Sequence, residues 1–155
     1  MTMHVVLREV VASDLPIFYE HQRDPQSVAM ADFPSRDREA HMAHWARIMA
    51  VPSSVLRTIV FNGEVAGNIV SWDGSDGREV GYWLGRQFWG QGIASQALAL
   101  FLDEVRVRPL FAHVVKHNVA SRRVLEKCGF VVTRAAGVQP EPGAEPIAEF
   151  ILRLD

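Results

Sequence analysis

The sequence predicts an α/β domain in which a mixed β-sheet carries helices on both faces. Three observations lead there. Residues 55–72, VLRTIVFNGEVAGNIVSW, read as two β-branched runs joined by Asn62-Gly63, the dipeptide that best tolerates the positive φ angles of a two-residue hairpin. Residues 79–94, EVGYWLGRQFWGQGIA, read as a strand, a glycine-bearing turn and the first turn of a long helix. Strand-like and helix-like segments then alternate, so parallel neighbours linked through the helix after Gly92 fit a mixed sheet.

In chain order, Val5 to Val11 is a short β-rich run interrupted by Arg8 and Glu9, and Ser13-Asp14 offers a helix cap before LPIFYEHQRD. Pro16 suits a first helical turn, where its missing N–H costs little, so a helix is expected from about Leu15 to Arg23. Pro25 to Pro34 reads as irregular. A second helix is expected from about Asp37 to Ala50, with Ala40, Ala43, His44 and Ile48 on one side, and Pro52 with Ser53-Ser54 ends it.

After the hairpin, Asp73 to Gly77 (DGSDG) is a polar turn into a strand from Glu79 to Gly85. Ile93, Ala97, Phe101 and Val105 recur every four residues beside Ala94, Leu98 and Leu102, a wide apolar stripe that packs a helix on a sheet, with Pro109 closing it. LFAHVV is a short strand apt for a sheet interior. Asn118 is a good N-cap for VASRRVLEKC, and Gly129 sits where a left-handed C-terminal cap is wanted. Phe130 starts another strand, a loop rich in proline and glycine runs from Gly137 to Pro146, and IAEFILRL is a last strand whose apolar character offers pairing across a homodimer.

Length and composition narrow the function. The 155 residues make one ordinary domain, read here as a single unit over 1–155, and 48% apolar with 22% charged residues is the composition of a soluble globular protein. A net charge of −2 argues against nucleic-acid and membrane-surface roles, which need a basic excess or stripe. Arg8 and Glu9 interrupt the first residues before a signal-peptide core is complete, and no run approaches the ~18 apolar residues of a membrane span. Cys128 is the only cysteine, which leaves no intrachain disulfide and no cysteine-based zinc site. A cytoplasmic enzyme or binding protein fits these limits.

The glycine turn is the chemically loaded stretch. Gly90 and Gly92 permit positive φ and close approach of a ligand to the main chain, and free N–H groups at a helix N-terminus favour an anion. Glycine is equally the ordinary residue of tight turns, so the other motifs decide.

Those motifs are similar to the GCN5-related N-acetyltransferase superfamily, and most to its RimJ- and RimL-like branch of ribosomal-protein N-terminal acetyltransferases. The family pattern Gln/Arg-x-x-Gly-x-Gly/Ala falls on Gln87-Phe88-Trp89-Gly90-Gln91-Gly92, preceded by Glu79-Val80-Gly81-Tyr82-Trp83-Leu84. The second family block matches from Asn118 to Phe130, in the right order and separation. The resemblance implies a mostly antiparallel sheet of six to seven strands with splayed central parallel strands, and acetyl coenzyme A as cosubstrate. It further implies that the pyrophosphate sits on the turn from Phe88 through Ile93 to Ala94. Pantetheine would lie along the backbone of Tyr82 and Leu84, with Asn118 and Ser121 nearby.

Acetyl transfer to an amine needs a base, because a free alkyl amine has a pKa near ~10 and is mostly protonated at neutral pH. Glu79 matches the strand glutamate that often does this in the family; a surface charge paired with Arg78 is the plainer reading. The N–H of Leu84 is the family-like donor to the thioester oxygen. The tyrosine that often protonates the leaving thiolate falls here on Leu125, and Ser121 is the residue assigned that role in the RimL-like branch, although a serine there also completes a helix cap.

Other features point less far. His41 with His44 and His113 with His117 have spacings that bind metals, but neither has a third ligand in pattern, so no metal is expected. Phe88, Trp83 and Trp89 read as core or cleft walls, and Cys128 as a small buried hydrophobe. Asp32, Phe33 and Trp45 lie in the region that shapes the acceptor site in relatives. The expected activity is transfer of acetyl to a primary amine, a protein N-terminus or a small molecule. The rivals are a non-catalytic acyl-CoA-binding or sensor module, prompted by Leu125, and a dinucleotide-binding domain. Against the latter, Ser95 takes the third small position and LFAHVVK offers no ribose-binding acid.

Overall fold

Seven strands form one sheet in the order β1-β2-β3-β4-β5-β7-β6. They are β1 (Val5–Glu9), β2 (Val55–Phe61), β3 (Glu64–Asp73), β4 (Arg78–Leu84), β5 (Leu110–Val115), β6 (Val131–Val138) and β7 (Ile147–Leu154). The computed structural model describes residues 4–138, 142, 143 and 145–155. Five α-helices accompany the sheet: α1 (Leu15–Arg23), α2 (Pro25–Ala31), α3 (Arg38–Met49), α4 (Ile93–Glu104) and α5 (Val119–Lys127). All pairings are antiparallel except β4 with β5, which α4 connects. The mixed, mostly antiparallel sheet expected from the sequence is therefore the observed one.

The β2–β3 hairpin turns where Asn62 and Gly63 take φ of 48° and 85°. Gly67 is required for a different reason: a Cβ there would collide with the Trp83 carbonyl oxygen, so its absence lets β3 lie against β4. On one face, Ile93, Ala97, Leu98 and Phe101 of α4 are buried with Ile69, Val80, Leu110 and Leu125 in the main core. Full burial of a side chain such as Phe101 is worth roughly 1.5–3 kcal/mol. A smaller core of Leu15, Phe18 and Trp45 holds α1 and α3 on the other face.

Five expectations are corrected. Residues 25–31 form a helix, because Asp24 caps it by accepting from the Ser27 N–H and Pro25 takes the first helical position. Helix α3 buries His41 and Trp45, while Ala40 and Ala43 face solvent; bulk and the bond from His41 Nε2 to the Leu15 carbonyl (2.9 Å) select that face. Asp14 does not cap α1 with its side chain. Buried instead, it accepts from Arg8 at 2.8 and 2.9 Å, from the Val11 N–H at 3.0 Å and from Thr58 Oγ1 at 2.7 Å. Strand β7 lies between β5 and β6, so both its edges are paired and it is not available to a second chain. Helix α4 ends at Glu104, ahead of Pro109, and the expected loop begins later than Gly137, since β6 continues to Val138. Residues 139–141 and 144 of that loop lie outside the described residues.

Candidate functional site

Where β4 ends, the chain makes a 3-10 turn at Arg86–Phe88 and enters α4 through Gly90 and Gly92, at φ of 75° and 76°. Beyond the adjoining backbone, no atom lies within 4 Å of where a Cβ would stand on either glycine, so both face open space. Gly92 is the N-cap of α4 and offers no side-chain acceptor. By contrast Asp24, Asp37 and Asn118 accept N–H bonds at the starts of α2, α3 and α5. The first N–H groups of α4 thus have no side-chain acceptor, and they stand at the positive end of the helix dipole. A cavity of about 290 Å³ opens there, lined by Phe88, Trp89, Gly90, Gly92, Ile93, Ala94 and Ser95, and running to Leu84, Asn118 and Ser121. Gln87 and Gln91 do not line it; the Gln91 amide donates to the Gln87 carbonyl at 3.2 Å and braces the turn. Arg86 ties the turn to α2 by bonds of 3.1 Å to Asp24 and Gln26.

The parallel ladder between β4 and β5 joins only Arg78 with Leu110 and Glu79 with Phe111, after which the strands part. The Gly85 N–H donates to the Ala66 carbonyl on the β3 side at 2.9 Å. Alternation along the strand then turns the peptide groups of Leu84 and Tyr82 toward the gap. The Leu84 carbonyl accepts from the Trp89 indole at 3.3 Å.

A second cavity, of about 490 Å³, lies on the α1–α2 side of this gap and includes Trp72, Gly81, His113 and Glu149 in its walls. Tyr82, Trp83, Asn118 and Ser121 line both cavities and so mark their junction. There the Tyr82 and Ser121 hydroxyls are 2.8 Å apart, and the Ser121 N–H donates to Asn118 Oδ1 at 3.2 Å. Burial foremost pushes the Tyr82 hydroxyl up to about 12, Cys128 adding to the shift and the Ser121 bond opposing it, so it stays a proton donor at neutral pH. Leu125 is buried in the main core and supplies no acid.

Period-two alternation puts Glu79, Gly81 and Trp83 on the opposite face from Val80 and Tyr82. Glu79 is buried rather than a surface charge, and it does not line the second cavity. It stands behind His113, which does: His113 Nε2 is 3.2 Å from Glu79 and 3.1 Å from Asp76, while Nδ1 is 2.8 Å from Glu149. Burial first, with Asp76 and Glu149 assisting, raises the Glu79 pKa against the opposing effects of His113 and the Ser75 N–H. Asp76, Glu79 and His113 have ligand atoms within 4.8 Å of one another, but Arg134 already pairs with Asp76 at 2.7 Å. An ion-pair network accounts for the cluster. Cys128 is half-buried and free, its thiol pushed up mainly by burial.

Sequence reasoning missed the Tyr82 hydroxyl, His113 in this role, and Glu149. His113 and Glu149 meet only through the β5–β7 register, where His113 faces Ile151 and Glu149 is its diagonal neighbour.

The chain matches the family described as Acetyltransferase (GNAT) domain over residues 4–131. No curated protein matches it by sequence. Among solved structures it is similar to a GNAT-family acetyltransferase from Bacillus anthracis, with TM-score 0.80, 19% identity, and 97% of this chain and 93% of that one covered. A spermidine N-acetyltransferase from Vibrio cholerae, in complex with CoA and spermine, superposes with TM-score 0.81 at 12% identity, covering 97% and 94%. Mycobacterium smegmatis RimJ in complex with CoA-disulfide gives TM-score 0.79 at 22% identity, covering 97% and 81%. At these identities the likeness is one of fold.

Proposed function

Because the chain belongs to the GNAT acetyltransferase family, we propose that it moves the acetyl group of acetyl-CoA to a primary amine by direct attack on the thioester. The observation that carries this reading is the continuity of the cleft. The uncapped N-terminus of α4 opens onto one cavity, the acidic cluster around His113 adjoins the other, and the Tyr82–Ser121 pair stands where the two meet. The two motif blocks support placement with the RimJ- and RimL-like branch, and the absence of any helix long and apolar enough to cross a membrane, among the described residues, agrees with a cytoplasmic setting.

Acetyl-CoA supplies an acyl group activated as a thioester. The N–H groups from Gly90 to Ser95 hold its diphosphate, those of Phe88 and Trp89, expected with them, being spent on the Gly85 and Arg86 carbonyls, and the backbone of Tyr82 and Leu84 pairs with its pantetheine arm in the gap beside β4. The Leu84 N–H stabilises charge on the thioester oxygen. Glu79 takes the proton of the amine through one intervening group, a water or the His113 ring, since His113 stands between it and the acceptor cavity. Ser121 gives its hydroxyl proton to the departing thiolate, and the Tyr82 hydroxyl, 2.8 Å away, keeps Ser121 oriented as a donor.

The test is incubation with acetyl-CoA and a panel of amines and peptide N-termini, read by mass spectrometry. Acetyl-CoA-dependent N-acetyl products are expected. Tight acetyl-CoA binding with no product on any amine would replace this reading with the sensor module, for which Leu125 is the one structural argument. A thermal shift produced by NAD alone would overturn both.

A further inference from the structure

Arg36 is the charge in the cleft that the fold does not use. Its backbone is fixed by Gln22, which accepts from the Arg36 N–H at 2.7 Å and donates to its carbonyl at 2.9 Å. Its guanidinium lies over the Phe33 ring, 5.5 Å from the centroid, and both residues line the acceptor cavity. Among the described residues no carboxylate comes within 4.0 Å of it, although Asp32 lines the same cavity. Burial and the neighbouring Arg47 both work against the charge, and Arg47 itself is engaged at 3.1 Å with His44 Nδ1. A half-buried guanidinium that carries this cost without an ion pair is a ready partner for an anion, because it can bind a carboxylate through two parallel N–H bonds.

The same cavity is acidic elsewhere. Glu149 is buried in its wall against His113, with Asp76 and Glu79 directly behind. An ammonium is attracted to that region, and the aromatic walls of Trp72 and Trp83 add to it. A volume of about 490 Å³ is that of a small-molecule site. One molecule that satisfies both regions carries an amine and a carboxylate.

Building on the acetyl-transfer reading above, we infer that the acceptor is a small zwitterionic amino acid, its amine directed toward Glu149 and His113 and its carboxylate held by Arg36. Matched acceptors test this: amino acids, the same compounds with the carboxylate removed or converted to an amide, short peptides, and a polyamine, each with acetyl-CoA. Wild-type protein is expected to favour the free amino acid over its decarboxylated and amidated forms by about ten- to a hundred-fold in kcat/KM, the range of a charge-assisted hydrogen bond. Arg36→Gln should erase that preference mainly through KM, and Arg36→Lys should retain part of it. Equal or better turnover of the decarboxylated amine, the peptides or the polyamine overturns the inference and leaves acetyl transfer standing. Persistence of the preference in Arg36→Gln overturns it too. Failure to acetylate any amine overturns the underlying reading instead. If Arg36→Gln does not fold, the wild-type ratio of amino acid to decarboxylated amine decides alone.

Discussion

Helices α4 and α5 both start in the cleft, and their first turns are finished in opposite ways. Asn118 caps α5 from within the chain, accepting the Ser121 N–H at 3.2 Å, and the turn so fixed presents Ser121 to Tyr82. Helix α4 begins at Gly92 with no side-chain cap and, beyond the adjoining backbone, nothing within 4 Å of the Cβ position. In the proposed function the closed end holds the Ser121 side chain in place and the open end takes the cofactor. The cofactor side of the cleft is accordingly built from backbone and the chemical side from side chains, so the two should fail separately.

The largest expected effect is on chemistry alone. Glu79→Gln should lower kcat by about 10²–10⁴, the usual worth of a general base, while calorimetry shows acetyl-CoA binding unchanged. Since burial raises the Glu79 pKa, the wild-type rate should climb with pH through a midpoint above the ordinary carboxylate value of about 4.3, and that limb should vanish in the variant. A weakened cofactor Kd in Glu79→Gln would break the separation.

The reciprocal change comes next. Gly92→Val puts a Cβ into the open cradle and a branched residue at φ of 76°, a left-handed geometry costing about 1–2 kcal/mol. Acetyl-CoA affinity should fall roughly ten- to a hundred-fold, the lower figure being that strain alone if it is felt only in the bound form. Smallest is the closed helix end: Asn118→Ala should cost about 0.5–2 kcal/mol of stability in denaturant titration, and lower kcat further because Ser121 loses its anchor. An unchanged midpoint would show that the cap does not set that turn.

The same contrast explains what could be read before the structure was known. The cradle is one contiguous run from Glu79 to Ala94, so its glycines, strand and helix are visible together, as is the Asn62-Gly63 hairpin. Helix α2 was hidden because Pro25 and Pro34 look like breakers, yet Asp24-Pro25 is a cap followed by a first-turn proline, a signal that was there to be used. The chemical side was less legible for a physical reason. Tyr82 meets Ser121 across 39 residues, and His113 meets Glu149 across 36, through strand register and helix packing that no local pattern encodes. Glu79 was identified from its motif, but its place behind His113 follows from the turn at Gly74 and from Asp76 and Glu149, which only the fold assembles.

The central claim is that an open helix end reads the diphosphate of the cofactor. Its most direct test is calorimetric titration of acetyl-CoA, and of acetyl-pantetheine, which lacks the diphosphate, into wild-type and Gly92→Val protein. Weaker acetyl-CoA binding in the variant, with acetyl-pantetheine bound equally by both proteins, is the predicted result. Equal weakening of the two ligands, or acetyl-CoA binding that the substitution leaves untouched, would contradict it.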